Sequence, residues 1–339
     1  MKKRTIAFLV LFGLILASQV FLNIRLSAQQ TPPVRTIIDP DQRILPPATT
    51  TIQITTSTGS APSRSPQTRT SPRAPLRWGA YVGNAETQLQ PFESTVGAPV
   101  NIVADFESWD SDFPLKLTAT VGKAGKTLLV FWEPNFGYQE ILDGHKDASI
   151  ERFAREAREY GYPVILVPFD EMNLNEEAWG YDHNHNTAET FQKAWMKIHD
   201  AFASSANVKF GLAYNAVSVP DVPGNQFTDY YPGSAFVDYV GVDGFNPGNP
   251  KKSFQEIFDP AIQAVSIFQK PILIFSMASV AGPDQAAWIR EGLGTVAPTY
   301  PGLVGWIWFN QAGSPNWSVD SDERSLEAFR SVIPKAQGD

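Results

Sequence analysis

The chain has 339 residues, a formal net charge of −8 and no cysteine. Without cysteine, a disulfide framework, a thiolate zinc site, an iron–sulfur cluster and a cysteine nucleophile are all excluded. Residues 1–75 hold nine Lys or Arg and two Asp, which leaves 18 basic and 33 acidic side chains in residues 76–339. Because this acidic part repels phosphate backbones, nucleic-acid binding is not expected.

Residues 1–28 are predicted to direct export. The basic start Met1–Arg4 precedes an uncharged apolar run that ends at Leu22, and small residues follow up to Ala28. This pattern is typical of a secretory signal peptide cleaved after Ala28. The run is also long enough for an uncleaved signal anchor, so both alternatives stay open. Either one predicts an extracellular or surface-anchored protein, with membrane contact only through such an anchor.

Residues 29–75 are rich in Thr, Pro and Ser and contain no aromatic residue. Such a segment buries too little apolar surface to offset its chain entropy, so we predict a disordered linker. The composition changes at Leu76, and residues 76–339 are predicted to form the folded domain.

Eight short apolar runs in this domain predict strands. Their nearly continuous apolarity is typical of strands that are covered on both faces, as in a parallel sheet. Pro168 has no N–H for a ladder, so we expect the regular pairing of the fourth strand to end there. The runs cover residues 77–82, 101–106, 127–133, 163–171, 209–215, 237–245, 271–278 and 302–310.

Amphipathic stretches lie between these runs, at residues 149–160, 188–203, 254–268 and 283–296. Alternating strands and helices indicate βαβ units. Eight units in the 264 residues of this domain match the usual barrel size of roughly 250 residues and predict an α/β protein with a (β/α)₈ TIM barrel. A doubly wound open sheet is the alternative. It is disfavoured because no glycine-rich phosphate loop follows the first strand.

Carboxylates follow several of the predicted strands, namely Glu133, Asp170, Glu171 and Asp243. A barrel brings the carboxyl ends of its strands together at one face, where the active sites of such enzymes lie. We therefore expect these side chains to share a catalytic site.

The order and spacing of several motifs make residues 78–330 similar to one known family. The sequence resembles glycoside hydrolase family 26, the β-mannanase type, in Trp132-Glu133-Pro134, residues 143–147, Phe169-Asp170-Glu171-Met172-Asn173 with Trp179-Gly180, Tyr231-Pro232-Gly233 with residues 238–246, Lys270-Pro271-Ile272 and Trp308-Phe309-Asn310-Gln311.

This resemblance implies a barrel that hydrolyses β-1,4-mannan or a related neutral β-glycan with retention of configuration. It places the acid/base at Glu171. It also places Ser276 where the family has its nucleophilic glutamate, and Phe245 where the family has the tyrosine that partners this glutamate. No cofactor and no metal are expected.

Three mechanisms remain open because a serine hydroxyl does not replace a carboxylate nucleophile without a strong base. Another carboxylate, Asp170, Asp243 or Glu133, stands in for the missing group. Asp170 is the weaker choice, since adjacent residues on an extended strand point to opposite faces. Alternatively, the hydrolase inverts configuration through a more distant carboxylate. In the third case the barrel binds a glycan without cleaving it.

Further side chains are predicted to contact the substrate. Trp132, Trp179 and Trp308 lie near strand ends, where a ring stacks on a sugar face, whereas Trp288 is predicted to be core. The predicted substrate-binding set also includes Asp170, Asn173 and Phe245. His183 and His185 beside Asp182 lack a spaced third ligand, so we predict a solvated loop there rather than a metal site.

Overall fold

The computed structural model describes residues 75–334. The predicted leader and all of the predicted linker except Pro75 lie outside the described residues. Within the described range, eight parallel strands close into a barrel in sequence order, each strand pairing with the next and β8 pairing with β1. The strands are β1 Arg77–Tyr81, β2 Ile102–Ser108, β3 Thr127–Glu133, β4 Val164–Pro168, β5 Val208–Asn215, β6 Tyr239–Asn246, β7 Ile272–Ser279 and β8 Leu303–Phe309. The predicted (β/α)₈ barrel is confirmed.

Helices surround this barrel, as the amphipathic stretches predict. They are α1 Ala85–Val96, α2 Gln139–Leu142, α3 Asp147–Tyr160, α4 Ala188–Ala201, α5 Phe227–Tyr230, α6 Phe254–Ser266, α7 Gln285–Glu291 and α8 Glu323–Val332. Thr187 caps α4, its hydroxyl accepting a hydrogen bond from the Thr190 N–H. Among the described residues, no helix is both long enough and apolar enough to span a bilayer.

The strands separate two apolar layers, as expected for a parallel sheet covered on both faces. A large outer layer joins the strands to the helices, and a smaller cluster fills the barrel. Alternation of side chains along each strand creates both layers. The inner cluster consists of Ile102, Ala104, Leu129, Phe131, Ile165, Val167, Ala213, Leu273, Phe275 and Ile307.

One glycine is required by close strand contact. A Cβ built on Gly241 of β6 would overlap the carbonyl oxygen of Leu273 on β7. This side of the barrel therefore closes only with glycine at position 241.

Two strands depart from their predicted regularity, and both departures lie near the carboxyl end of the barrel. The predicted fourth strand is too long, because β4 ends at Pro168 and Phe169 adopts a φ of +61°. On β7 the register with β6 jumps after Ile274, so that Ser276 pairs with Asp243 and Phe275 is an extra residue. Both irregularities change which side chains reach the mouth of the barrel.

Candidate active site

The turn after β4 orients the first two carboxylates. Phe169 and Glu171 both adopt left-handed backbone conformations, with φ of +61° and +52°. Such residues cost about 1–3 kcal/mol each and persist only where surrounding contacts hold them. The Phe169 ring is fully buried, and the Glu171 N–H donates to the carbonyl of Ala213 at 3.0 Å. Asp170 and Glu171 therefore lie on a folded turn, and the strand alternation that disfavoured Asp170 does not apply.

A buried asparagine fixes this turn to the end of β5. The Asn173 side chain accepts a hydrogen bond from the Asn215 N–H at 2.9 Å and donates to the Asn215 carbonyl at 2.9 Å. Asn215 in turn donates its side-chain amide to Oε1 of Glu171 at 3.1 Å. Asn173 has no solvent exposure. It acts on the site through Asn215 and does not fit the predicted role of a sugar ligand.

The predicted carboxylates do converge on the carboxyl end of the barrel. Burial, together with the negative charges of Asp170, Glu177 and Glu171, raises the pKa of Glu133 well above its usual range. Burial and the charges of Glu171 and Glu177 raise the pKa of Asp170 in the same way. Because each of these carboxyl groups is shifted by the charges of its neighbours, the groups titrate as one interacting cluster.

Asp243 completes this cluster on the other side of Glu171. Its pKa is raised well above the usual range by burial and by the charges of Glu171 and Asp170, and a hydrogen bond from the Ser276 backbone opposes that rise. Asp243 is 2% exposed and Ser276 is 6% exposed. Because they are register partners on β6 and β7, their side chains lie on the same face of the sheet.

Two of the predicted sugar-binding tryptophans lie on the wrong face of the barrel. Trp132 has no exposed surface and stacks between Trp109 at 3.7 Å and Phe153 at 4.2 Å, in the outer apolar layer. Trp308 is equally buried and donates its indole N–H to the Trp317 carbonyl at 3.2 Å. The predictions for Trp132 and Trp308 are wrong for this structure, because alternation along the strands directs both rings towards the helices.

Trp179 and Phe245 lie closer to the carboxylates. Trp179 is 5% exposed and its indole N–H donates to the Asp170 carbonyl at 2.8 Å, so it braces the acidic turn. Phe245 is half-buried and contacts Phe309 at 5.8 Å and Trp317 at 5.2 Å. The prediction that Trp288 is core is confirmed, since it is buried against Phe254 at 5.2 Å.

Sequence reasoning missed an aromatic floor beside the carboxylates. Tyr81 at the end of β1 stacks on Phe309 at 4.9 Å and meets Phe106 edge-on at 4.9 Å, while Phe106 stacks on Phe131 at 4.4 Å. Tyr81 and Phe106 are only half-buried. The sequence does show aromatic residues near the carboxyl ends of several strands, but it does not show that their rings contact one another.

It also missed a second acidic pair. Burial and the Glu107 charge raise the pKa of Asp105 to about 8, although Lys116 partly offsets this rise. Asp105 and Glu107 alternate with Phe106 on β2, so they occupy the face of the strand opposite the aromatic floor. The alternation of two acidic residues within one predicted strand could have indicated this pair from the sequence.

The histidine loop lies apart from this cluster. Asp182, His183 and His185 are exposed, in agreement with the solvated loop predicted there. Within residues 75–334, no group of three His, Cys, Asp or Glu side chains is arranged to hold a metal ion.

Comparisons with known proteins add independent information. A family model described as glycosyl hydrolase family 26 matches residues 133–300. Endoglucanase H of Acetivibrio thermocellus is 31% identical over 274 residues, covering 76% of this chain and 30% of that protein. Mannan endo-1,4-beta-mannosidase A and B of Caldalkalibacillus mannanilyticus is 25% identical over 179 residues, covering 49% of this chain and 33% of that protein. The chain thus spans about a third of the length of these curated relatives.

Solved structures show the same fold at lower identity. A family 26 β-mannanase from Bacteroides ovatus superimposes with a TM-score of 0.60 and 14% identity, covering 76% of this chain and 88% of the other. A mannanase of Bacillus subtilis gives a TM-score of 0.56 and 16% identity, covering 76% and 85%.

Proposed function

Since the chain belongs to glycosyl hydrolase family 26, we propose that its barrel hydrolyses β-1,4-mannan or a related neutral β-glycan, with Glu171 as the general acid. The observation that carries this proposal is the convergence of Glu133, Asp170, Glu171 and Asp243 on one mouth of the barrel. Glycosidases use a pair of carboxyl groups flanking the scissile bond.

The surroundings of Glu171 support its role. It is 9% exposed, and its Oε1 accepts the amide hydrogen bond from Asn215, which fixes the direction of the carboxyl group. Burial and mutual repulsion raise the pKa values of Glu133, Asp170 and Asp243, which favours the protonated form of the carboxyl groups at this mouth. A carboxyl group that keeps its proton can donate it to a leaving-group oxygen.

The aromatic floor and the charge of the domain support a neutral glycan. Tyr81 and Phe106 are half-buried, and Tyr81 lies close enough to Glu133 to feel its charge. Such rings pack against the apolar faces of sugars. The domain has 33 acidic and 18 basic side chains in residues 76–339, and this excess of negative charge disfavours an anionic glycan. One relative is named as an endoglucanase and another as a mannan endo-1,4-beta-mannosidase, and both names describe enzymes that cleave glycans. The apolar segment Thr5 to Leu22 supports an exported location for this activity.

A second candidate function is glycan binding without cleavage. Ser276 favours it, because this position carries a hydroxyl where the family resemblance predicts a carboxylate nucleophile. The mouth and its aromatic floor would then bind the sugar chain alone.

The test incubates the purified full chain with β-mannan, glucomannan and mixed-linkage β-glucan and follows the release of reducing ends. We expect turnover that Glu171→Gln lowers by about 100- to 10,000-fold, the contribution usual for a positioned acid. Glu189→Gln, on the exposed start of α4, is the matched control. Binding without turnover, with turnover created by Ser276→Glu, would establish the second candidate. Failure to bind or cleave any of these glycans would refute both.

A further inference from the structure

A polar cleft lies on the rim of the barrel, between the loop after β1 and the loop after β8. It has a volume of about 460 Å³. One wall is formed by residues 82–84 and one side of α1, and the other wall by residues 310–312 with Ser318 and Asp320. Small-molecule sites usually measure about 300–1,000 Å³. None of the residues described as lining this rim cleft belongs to the carboxylate cluster, so the cleft is a separate place for a ligand.

Two asparagines place amide groups on opposite walls of the rim cleft. Oδ1 of Asn84 accepts a hydrogen bond from the Thr87 N–H at 3.3 Å. Oδ1 of Asn310 accepts one from the Val319 N–H at 2.8 Å. Within residues 75–334 the NH₂ groups of both asparagines have no partner, so each keeps hydrogen-bond donors for a ligand.

Three further side chains add acceptors and donors. Gln311 donates through Nε2 to the Ala312 carbonyl at 3.1 Å, which leaves its Oε1 as an acceptor. Asp320 accepts from the Ser318 hydroxyl with Oδ1 and keeps Oδ2. Gln88 is exposed on α1 and makes no side-chain hydrogen bond to another described residue. The rim cleft therefore presents both donors and acceptors.

This set of groups selects a neutral ligand rich in hydroxyl groups. Among the described lining residues there is no Lys or Arg to balance an anion. The single carboxylate, Asp320, supplies too few oxygens for a divalent cation such as Ca²⁺, which takes 6–8 oxygen ligands. A hydroxyl group both donates and accepts, as the mixed amides require. Pro91 and Phe92 add apolar surface for carbon-bound hydrogens. A sugar unit combines these properties.

The rim cleft continues outward from the aromatic floor of the mouth. Tyr81 and Phe309 are register partners on β1 and β8, and their rings stack at 4.9 Å. The residues that follow them, Val82 and Asn310, already line the rim cleft, and the Asn310 N–H donates to the Tyr81 carbonyl at 2.8 Å. Since a strand advances about 3.3 Å per residue, the rim cleft begins about that far beyond the floor. A glycan that packs on the floor can therefore extend over the ends of β1 and β8 into it.

The walls of the rim cleft are held without a ligand. The Gln311 carbonyl accepts a hydrogen bond from the Trp317 N–H at 2.9 Å. On the opposite wall, the Arg330 guanidinium of α8 donates to the Thr95 carbonyl at 2.6 and 3.1 Å, which ties the lining side of α1 to α8. A preformed site spends little of its binding free energy on ordering the protein.

We propose that the rim cleft binds a remote sugar unit of the glycan whose other units occupy the mouth, so that the protein prefers long chains to short ones. This inference rests on the proposed function, under hydrolysis and under binding without cleavage alike. Because the rim cleft holds none of the mouth carboxylates, it contributes to the affinity for the chain and not to the chemical step.

The experiment compares oligosaccharides of two lengths by titration calorimetry. The full chain carries Glu171→Gln to prevent cleavage, and the probes are β-1,4-linked mannotriose and mannohexaose, with mixed-linkage β-gluco-oligosaccharides of three and six units as a second series. The double variant Gln88→Ala/Gln311→Ala removes two amides that make no hydrogen bond to a distant part of the described chain, so Tm should not change. We expect Kd for the hexasaccharide to rise about tenfold, the loss of one or two hydrogen bonds, and Kd for the trisaccharide to stay the same.

The matched control is Gln90→Ala. Gln90 is an exposed glutamine on the same helix and does not line the rim cleft. Its variant should bind both lengths like the parent chain. A second readout locates the sugar directly: the side-chain amide NMR signals of Gln88 and Gln311, assigned by their loss in the variants, should shift with the hexasaccharide and not with the trisaccharide.

The outcomes separate the rim cleft from the proposed function. If the double variant weakens neither length, or weakens both equally, the rim-cleft inference is overturned and the proposed function stands. Binding of the hexasaccharide without a shift of the two amide signals overturns it as well. If none of these oligosaccharides binds, the proposed function is refuted, and this inference with it.

Discussion

Replacing Asn173 by alanine is expected to destabilise the fold more than any surface change. The Asn173 side chain makes hydrogen bonds of 2.9 Å to both the N–H and the carbonyl of Asn215, and a third of 3.2 Å to the Ser218 hydroxyl. The alanine variant leaves these groups buried without their partner. Each unsatisfied backbone group costs about 1–3 kcal/mol, so we expect a loss of roughly 3–5 kcal/mol.

Urea unfolding of the full chain measures this change. A decrease of about 3–5 kcal/mol is a large part of the 5–15 kcal/mol typical of a domain, and the m-value should stay constant if only stability changes. Asn207→Ala is the matched control, because it also removes two hydrogen bonds to carbonyls, those of Ala157 and Tyr162, but far from the carboxylates. It should leave kcat unchanged.

Catalysis provides the second readout of Asn173→Ala. Asn215 loses its anchor and with it the fixed direction of its bond to Glu171, so kcat should fall while the variant remains folded. A loss of stability below about 1 kcal/mol with unchanged kcat would refute the reasoning, since one ordinary hydrogen bond already contributes that much.

The remaining predictions concern one titration and two packing sites. The pKa of Asp105 is about 8 in the folded protein and 3.8 in the unfolded chain. Between these values the folded protein keeps a proton that the unfolded chain loses. The free energy of unfolding therefore decreases as the pH rises from about 4 to about 8, by up to about 1.4 kcal/mol per pH unit. Asp105→Asn should flatten this decrease in urea titrations at pH 5 and pH 8, and an unchanged slope would contradict it. Trp132→Ala should lower the free energy of unfolding by about 3–5 kcal/mol and leave KM unchanged. A tenfold rise in KM would instead indicate that Trp132 contacts the sugar. Gly241→Ala should cost about 3 kcal/mol, the upper end of the usual cost of overpacking, because its Cβ meets the Leu273 backbone; a wild-type Tm would contradict this.

Sequence patterns were sufficient for the architecture. Strand and helix periodicity depend on local alternation of apolar residues, which a sequence shows directly. The eight predicted strands match the observed ones closely, except where the fourth was extended through Glu171. That error has a local cause: Pro168 ends the ladder and Phe169 turns the chain, and the left-handed φ of a phenylalanine depends on tertiary packing that the sequence does not display.

Site residues were predictable by type and position, but their roles were not. The carboxylates at the ends of β3, β4 and β6 were recognised because a parallel barrel must collect them. Trp132 and Trp308 were assigned to the wrong face, since a one-residue difference along a strand reverses the direction of a side chain. Asn173 was placed among the substrate-binding residues. Its hydrogen bonds to Asn215 join positions 42 residues apart in the chain, so the sequence did not show that its side chain is already used inside the protein.

Composition excluded cysteine chemistry and indicated an acidic domain, and the pattern of apolar residues along the chain indicated the repeating strand–helix order. Only the tertiary structure brought Asn215, Asp243 and Ser276 into one row, because that row depends on strand register and on one extra residue in β7. The same folding brings Glu171 to this row through its hydrogen bond from Asn215. Register is set by packing between distant segments, which a sequence does not show.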